Sequence, residues 1–152
     1  MFTLSAEVQR EAAEKVCQLI AERLGVEPPV DYAHPWELLV DGYLAVEIHF
    51  HRGRCFFVGV VVEHLPNDPG EIFRRALQLS RERCALGAAA LTLDHDHQRL
   101  ILWKPAGESG SEEDILRAFE TILKELDLWF STLIDMPSPR SALAGGFAGL
   151  LG

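Results

Sequence analysis

The sequence predicts an α+β domain in which a twisted antiparallel sheet packs with three helices. Three observations favour this class. Two long apolar runs flank a two-residue turn in the first half of the chain, amphipathic segments of helical period stand at its start, middle and end, and the connections are short. Read in order, the elements form the succession αβββαββα.

A hairpin over residues 43–64 is the centre of this prediction. Its arms, 43–51 and 54–64, are joined by Arg52 and Gly53, and the glycine suits a primed turn that needs a positive φ. This register places Glu47 opposite Val58. A strand with one wet face should alternate apolar and polar residues, but the second arm is apolar on both faces. Another layer of the chain, a second copy or a partner must therefore cover its second face.

A short strand over residues 36–40 precedes the hairpin, and Asp41-Gly42 separates the two. We expect these two residues to form a two-residue turn. That turn would place Trp36, Leu38 and Val40 on the same face of the sheet as Phe56, Val58 and Val60.

The other elements follow from helical periodicity and from helix-capping residues. Helices are predicted over 5–24, over 69–86 after an Asp-Pro start, and over 111–133 after a serine cap. Two further strands are predicted over 88–93 and 98–104. The domain is expected to span residues 1–134, and the glycine- and alanine-rich stretch 135–152 to be a flexible tail.

Composition excludes several classes of function. Of the 152 residues, 48% are hydrophobic and 24% charged, and the net charge is −9, which argues against nucleic acid or an anionic membrane as a partner. No apolar run is long enough to span a membrane, and the N-terminus does not read as a signal peptide. Cys17, Cys55 and Cys84 are scattered, which favours reduced thiols in the cytoplasm over a disulfide or zinc framework.

Four histidines are the strongest candidates for chemistry. His49 and His51 share a strand face, while His95 and His97 lie in the turn between the last two strands. Such a set could hold zinc or iron, so a small metal-binding protein or enzyme remains an alternative. We interpret these histidines instead as strand-surface and turn residues. No catalytic or nucleotide-binding motif is present, so we expect no catalytic residue, metal or cofactor.

Several stretches together resemble the class I type III secretion chaperones, the Tir-chaperone-like family of small acidic bacterial proteins. They are Leu-Leu-Val-Asp-Gly at 38–42 before the apolar hairpin, Leu-Thr-Leu-Asp at 91–94, Arg-Leu-Ile-Leu at 99–102, and the first and last amphipathic helices. The resemblance covers about residues 5–134. The histidine-rich turn and the C-terminal stretch depart from the family pattern.

The resemblance implies a virulence-associated homodimer of the bacterial cytoplasm. It would bind the extended N-terminal segment of a secreted effector without ATP, keep it export-competent and aid its delivery to the secretion apparatus, where the secretion ATPase is a further candidate partner. The dimer interface would lie on the middle helix. Its expected residues are Ile72, Phe73, Ala76, Leu77 and Ser80.

The two-faced hairpin predicts a partner-binding surface independently of the resemblance, because one apolar face must lie away from the helices. A third possibility is that a dimeric adaptor binds a folded partner through the same face. The expected partner-binding residues are Trp36, Leu38, Val40, Glu47, His49, Phe56, Val58, Val60 and Val62.

Overall fold

Eight elements follow one another in the predicted order αβββαββα. A computed structural model describes residues 6–84, 86, 89–107 and 110–135, so nearly all of the predicted tail lies outside the described residues. The elements are α1 (Ala6–Leu24), β1 (Trp36–Val40), β2 (Leu44–His51), β3 (Arg54–Val62), α2 (Gly70–Cys84), β4 (Ala90–Asp94), β5 (Arg99–Pro105) and α3 (Glu112–Asp135).

The five strands form one antiparallel sheet in the order β1-β2-β3-β5-β4. The predicted register of the central hairpin is confirmed, since Glu47 lies opposite Val58. Arg52 and Gly53 have φ values of 49° and 75°, and two successive positive φ values are what a type I′ turn requires. Local turn chemistry therefore determined this pairing.

The predicted register of β1 is wrong by one residue. Val40 pairs with Leu44, so Tyr43 belongs to the connection and does not begin β2. The Tyr43 hydroxyl donates a hydrogen bond of 2.7 Å to the Asp127 carboxylate on α3, and its ring lies edge-on to Phe130 at a centroid distance of 6.5 Å. Tyr43 thus contacts α3 from the connection between β1 and β2.

A one-residue shift exchanges the two faces of a strand. Trp36, Leu38 and Val40 therefore lie on the helix-covered face and pack on the hydrophobic core, contrary to the prediction. Glu37 and Leu39 lie on the other face in their place.

Val62 is also placed on the wrong face by the sequence prediction. The pairing of β3 with β5 shifts by one residue between Val60 and Val62, so that Val62 pairs with Leu100 and both side chains are buried in the core. An extra residue in one strand of an antiparallel pair turns the following side chains to the opposite face.

The helices pack on one face of the sheet, which we call the inner face. Phe57 of β3 and Phe119 of α3 meet edge-to-face at 5.3 Å between ring centroids. A Cβ atom on Gly59 would lie 3.3 Å from both methyl groups of Leu126, so the glycine allows α3 to approach β3 closely. No helix in the described part of the chain is long and apolar enough to cross a membrane.

Gly59→Val should destabilise the fold, because two methyl groups beyond the Cβ would have to displace Leu126. Overpacking of this kind costs about 1–3 kcal/mol. Urea unfolding monitored by tryptophan fluorescence measures the change. Gly59→Ala is the matched control and should cost clearly less, since only its Cβ must fit. Equal unfolding midpoints for the two variants would contradict the close approach of α3.

Candidate partner-binding surface

The sheet face opposite the helices, here called the outer face, carries a groove of about 940 Å³. Its lining comes from strands β1 to β5, from Pro35 and from the β4–β5 turn; none of the described residues that line it belongs to a helix. The outer face of β3 and β5 contributes Phe56, Val58, Ile101 and Trp103. The described part of the chain therefore leaves this apolar surface without a helical layer.

Aromatic rings contribute to the accessible apolar surface of the groove. Val58 and Val60 lie on the outer face as predicted, but each is only 5% exposed, whereas Trp103 is 37% exposed. The rings of Phe56 and Trp103 meet edge-to-face at 5.8 Å between centroids. The indole Nε1 of Trp103 donates a hydrogen bond of 2.9 Å to Thr92 Oγ1, which fixes the orientation of the ring.

A network of paired charges forms the polar side of the groove. Arg99 contacts Glu47 Oε2 at 2.6 Å and Asp94 Oδ2 at 2.7 Å. Glu47 Oε1 lies 2.8 Å from His49 Nε2, and Asp94 Oδ2 lies 3.0 Å from His97 Nδ1. Because β3 lies between β2 and β5, the Arg99–Glu47 pair crosses β3 on the outer face and helps to bury its valines.

Glu47 is suited to a structural role and not to proton transfer near neutral pH. The hydrogen bond with His49 and the ion pair with Arg99 outweigh burial, which by itself raises the pKa of a carboxyl, and lower the pKa of Glu47 to about 2. A general acid or base works best when its pKa lies near the working pH. The carboxylate thus stays charged and paired.

The structure brings both histidine pairs to one groove, a proximity that the sequence did not reveal. His49, His51, His95 and His97 all line it. Within the described ranges, however, no three or more His, Cys, Asp or Glu side chains are arranged to hold a metal ion.

Much of the groove lining was not predicted as a site, including Thr92, Arg99, Ile101 and Trp103. Leu100 and Leu102 alternate with Ile101 and Trp103, so β5 is apolar on both faces and its sequence does not show which side faces the groove. The Arg99–Glu47 pair joins residues on non-adjacent strands. Only the strand order could reveal this pair.

The predicted dimer surface on α2 is divided by the fold. Ile72 and Ala76 are buried in the chain's own core, so they are not part of an exposed interface, contrary to the prediction. Leu77 is 67% exposed, and Phe73 and Ser80 are half-buried. The residues of α2 that are free to meet a second copy are therefore fewer than the sequence suggested.

No protein-family model and no curated protein matches the sequence. Solved structures do match the fold. A chain of the ExsC–ExsE complex is 18% identical, with a TM-score of 0.60 over 91% of this chain and 100% of that one. A chain of the HopA1–SchA chaperone–effector complex is 14% identical, with a TM-score of 0.60 over 84% and 98% of the two chains.

The Yersinia pestis type III secretion chaperone SycH, solved in complex with a stable fragment of YscM2, is a third match. It is 12% identical, with a TM-score of 0.51 over 78% of this chain and 98% of the matched one. The chain has the fold of the type III secretion chaperones. The predicted resemblance to these chaperones and the predicted α+β class are thus confirmed for the fold.

In this chaperone fold, loss of the Arg99 guanidinium should cost about 3 kcal/mol of unfolding free energy, because Arg99→Met leaves Glu47 and Asp94 charged and largely buried without their cation. Chemical denaturation measures the loss. Arg23→Met is the matched control, since Arg23 pairs with Glu120 on the surface, where the side chains are 59% and 48% exposed. Its cost should stay below about 1 kcal/mol. Equal costs would show that the network does not stabilise the groove.

Proposed function

We propose that this protein is an ATP-independent chaperone of the bacterial cytoplasm. It binds the extended N-terminal segment of a type III secreted effector in the groove on its outer face. The bound segment stays soluble and export-competent, and the chaperone aids its delivery to the secretion apparatus. The observation that carries the proposal is the aromatic groove that no helix of the described chain covers.

The groove can supply the binding free energy that such a segment needs. Burial of an apolar side chain contributes about 1.5–3 kcal/mol, and the half-exposed Phe56, Ile101 and Trp103 offer surface for several anchors. Ordering a disordered segment costs roughly 2–5 kcal/mol or more, so a few well-placed anchors offset it. Nucleotide hydrolysis is not required for equilibrium binding of this kind.

The sheet also favours an extended partner over a folded one. β1 and β4 are the edge strands of the sheet, and Ala90 and Thr92 of β4 are small, exposed residues of the outer face. A peptide in extended form can pair its backbone with such an edge while its alternate side chains enter the groove. Contact with the secretion ATPase stays a prediction to which no residue is assigned.

Trp103→Asp should weaken the binding of an effector segment at least about tenfold, which corresponds to about 1.4 kcal/mol, because it removes the most exposed aromatic anchor and adds a charge to the groove. Trp103→Phe keeps an aromatic ring and should retain most of the affinity. The measurement is co-purification and calorimetry with the N-terminal segment of an effector encoded beside the chaperone gene.

Either of two results would contradict the proposal. One is that the wild-type protein retains no effector segment; the other is that the Trp103→Asp variant binds the segment as tightly as the wild type does. Binding to a folded effector domain without binding to its isolated N-terminal segment would favour a dimeric adaptor instead.

We also propose that two copies associate through α2. Leu77 is 67% exposed, Phe73 and Ser80 are half-buried beside it on the helix, and Leu86 just beyond α2 is 69% exposed. A twofold contact would bury these apolar side chains against their symmetry mates. Ile72 and Ala76 support the helix from within the same chain.

Leu77→Asp should convert the dimer to a monomer, because a charge would be buried at the centre of the twofold contact. Light scattering coupled to size-exclusion chromatography measures the mass. Leu39→Asp is a matched control: Leu39 is 66% exposed but lies on β1, and the variant should remain dimeric. A monomeric wild type, or a Leu77→Asp variant of unchanged mass, would contradict the proposed interface.

A further inference from the structure

The groove on the outer face does not end at the edge of the sheet. It shares Phe50 and His51 with a cavity of about 470 Å³ between the β2–β3 turn and α1. It shares Phe56 with a second cavity of about 700 Å³, which extends from the same turn to Ile115 at the start of α3. We call these two the tip cavities. Through these shared residues they adjoin the groove at the end of the hairpin.

The tip cavities are basic, although the whole chain carries a net charge of −9. Four cationic side chains and one carboxylate line them. These residues are Arg10, Lys15, Asp31, Arg52 and Arg54.

The charges that remain available in the tip cavities are those of Arg52 and Arg54. The guanidinium of Arg10 already pairs with Glu14 at 2.9 Å, and Lys15 Nζ donates to the Gly110 carbonyl at 2.6 Å. Arg52 and Arg54 are both exposed, and neither forms an ion pair with another residue of the described chain.

The turn that carries these two arginines is packed on α1. Arg52 and Gly53 form the tight turn of the hairpin, and a Cβ on Gly53 would lie 2.7 Å from Cγ of Gln9 on α1. The turn is therefore packed directly on the helix. A turn whose backbone is already ordered pays no further backbone entropy when its side chains bind a partner, which favours affinity.

The groove itself has the opposite charge. Its lining contains the carboxylates of Glu37, Glu47, Asp94 and Asp96 and the single guanidinium of Arg99. A segment that runs along the whole surface, in either direction, thus contacts an apolar and acidic part in the groove and a basic part at the hairpin tip. Complementary charge determines which partners bind and how fast they associate.

We propose that the extended segment bound in the groove continues around the hairpin tip and places an acidic stretch of its own against Arg52 and Arg54. The inference rests on the proposed function and adds to it the chemistry of the partner: an apolar stretch next to a run of aspartate or glutamate. Carboxylates pair with guanidinium groups through charge-assisted hydrogen bonds. These pairs are exposed, so salt weakens them.

The test uses three fluorescein-labelled peptides that share one alternating apolar core and differ in a glutamate, lysine or glycine-serine flank. Fluorescence anisotropy at low and at physiological salt measures their affinities for the full chain. The wild type should bind the glutamate-flanked peptide about tenfold more tightly than the glycine-serine peptide at low salt, a difference that should shrink as salt is added.

Arg54→Glu should abolish this preference and leave the affinity for the glycine-serine peptide unchanged. Lys124→Glu is the matched control, because it changes the net charge equally at an exposed position of α3 outside the cavities, and it should keep the preference.

The outcomes separate the inference from the proposed function. Equal affinity of the wild type for the glutamate and glycine-serine flanks overturns the inference alone. So does a preference that survives Arg54→Glu, or one that Lys124→Glu removes to the same extent. Failure of all three peptides to bind the wild type overturns the groove as a binding site and the inference with it.

Discussion

The sheet is apolar on both faces, but the helices of the described residues cover only one of them. Contact between Gly59 and Leu126 brings α3 close to the inner face, and the paired rings of Phe57 and Phe119 continue this core. The outer face keeps the half-exposed aromatic rings of Phe56 and Trp103. Exposed apolar surface of this kind is typical of a binding site, and the groove depends on this asymmetry.

A charged network lies across that exposed face. Arg99 links Glu47 on β2 to Asp94 at the end of β4, and thereby crosses the central strand. Val58 and Val60 on this face are only 5% exposed, whereas the neighbouring rings of Phe56 and Trp103 stay accessible. Since the pKa of Glu47 is about 2, the pair remains ionised at any pH at which the protein would work. The groove is therefore both apolar and defined in shape.

Prediction from the sequence succeeded where a local signal sufficed. The Arg52-Gly53 sequence favours a two-residue turn. That turn determines the register of the hairpin, and the register determines which faces Glu47, His49, Phe56 and Val58 occupy. The prediction failed at β1. The Asp41-Gly42 sequence favours a two-residue turn as Arg52-Gly53 does, but in the structure Tyr43 is also part of the connection, so the register shifts by one residue.

Long-range pairing explains the other differences. The bulge after Val60 arises where β3 pairs with β5, some forty residues away along the chain, and it turns Val62 into the core. The resemblance placed Ile72 and Ala76 of the apolar stripe of α2 at a dimer interface, but both lie in the chain's own core. Helical periodicity shows which residues share a face but not what that face meets.

By itself, the sequence determined the class of the fold, the order of its elements and the pairing of β2 with β3, because periodicity and turn residues act over short distances. Only the tertiary structure decided which apolar face the helices cover, which side of β1 and Val62 points inward, and that Arg99 and Trp103 belong to the groove. Those features depend on contacts between residues far apart in the chain, such as Tyr43 with Asp127 and Arg99 with Glu47.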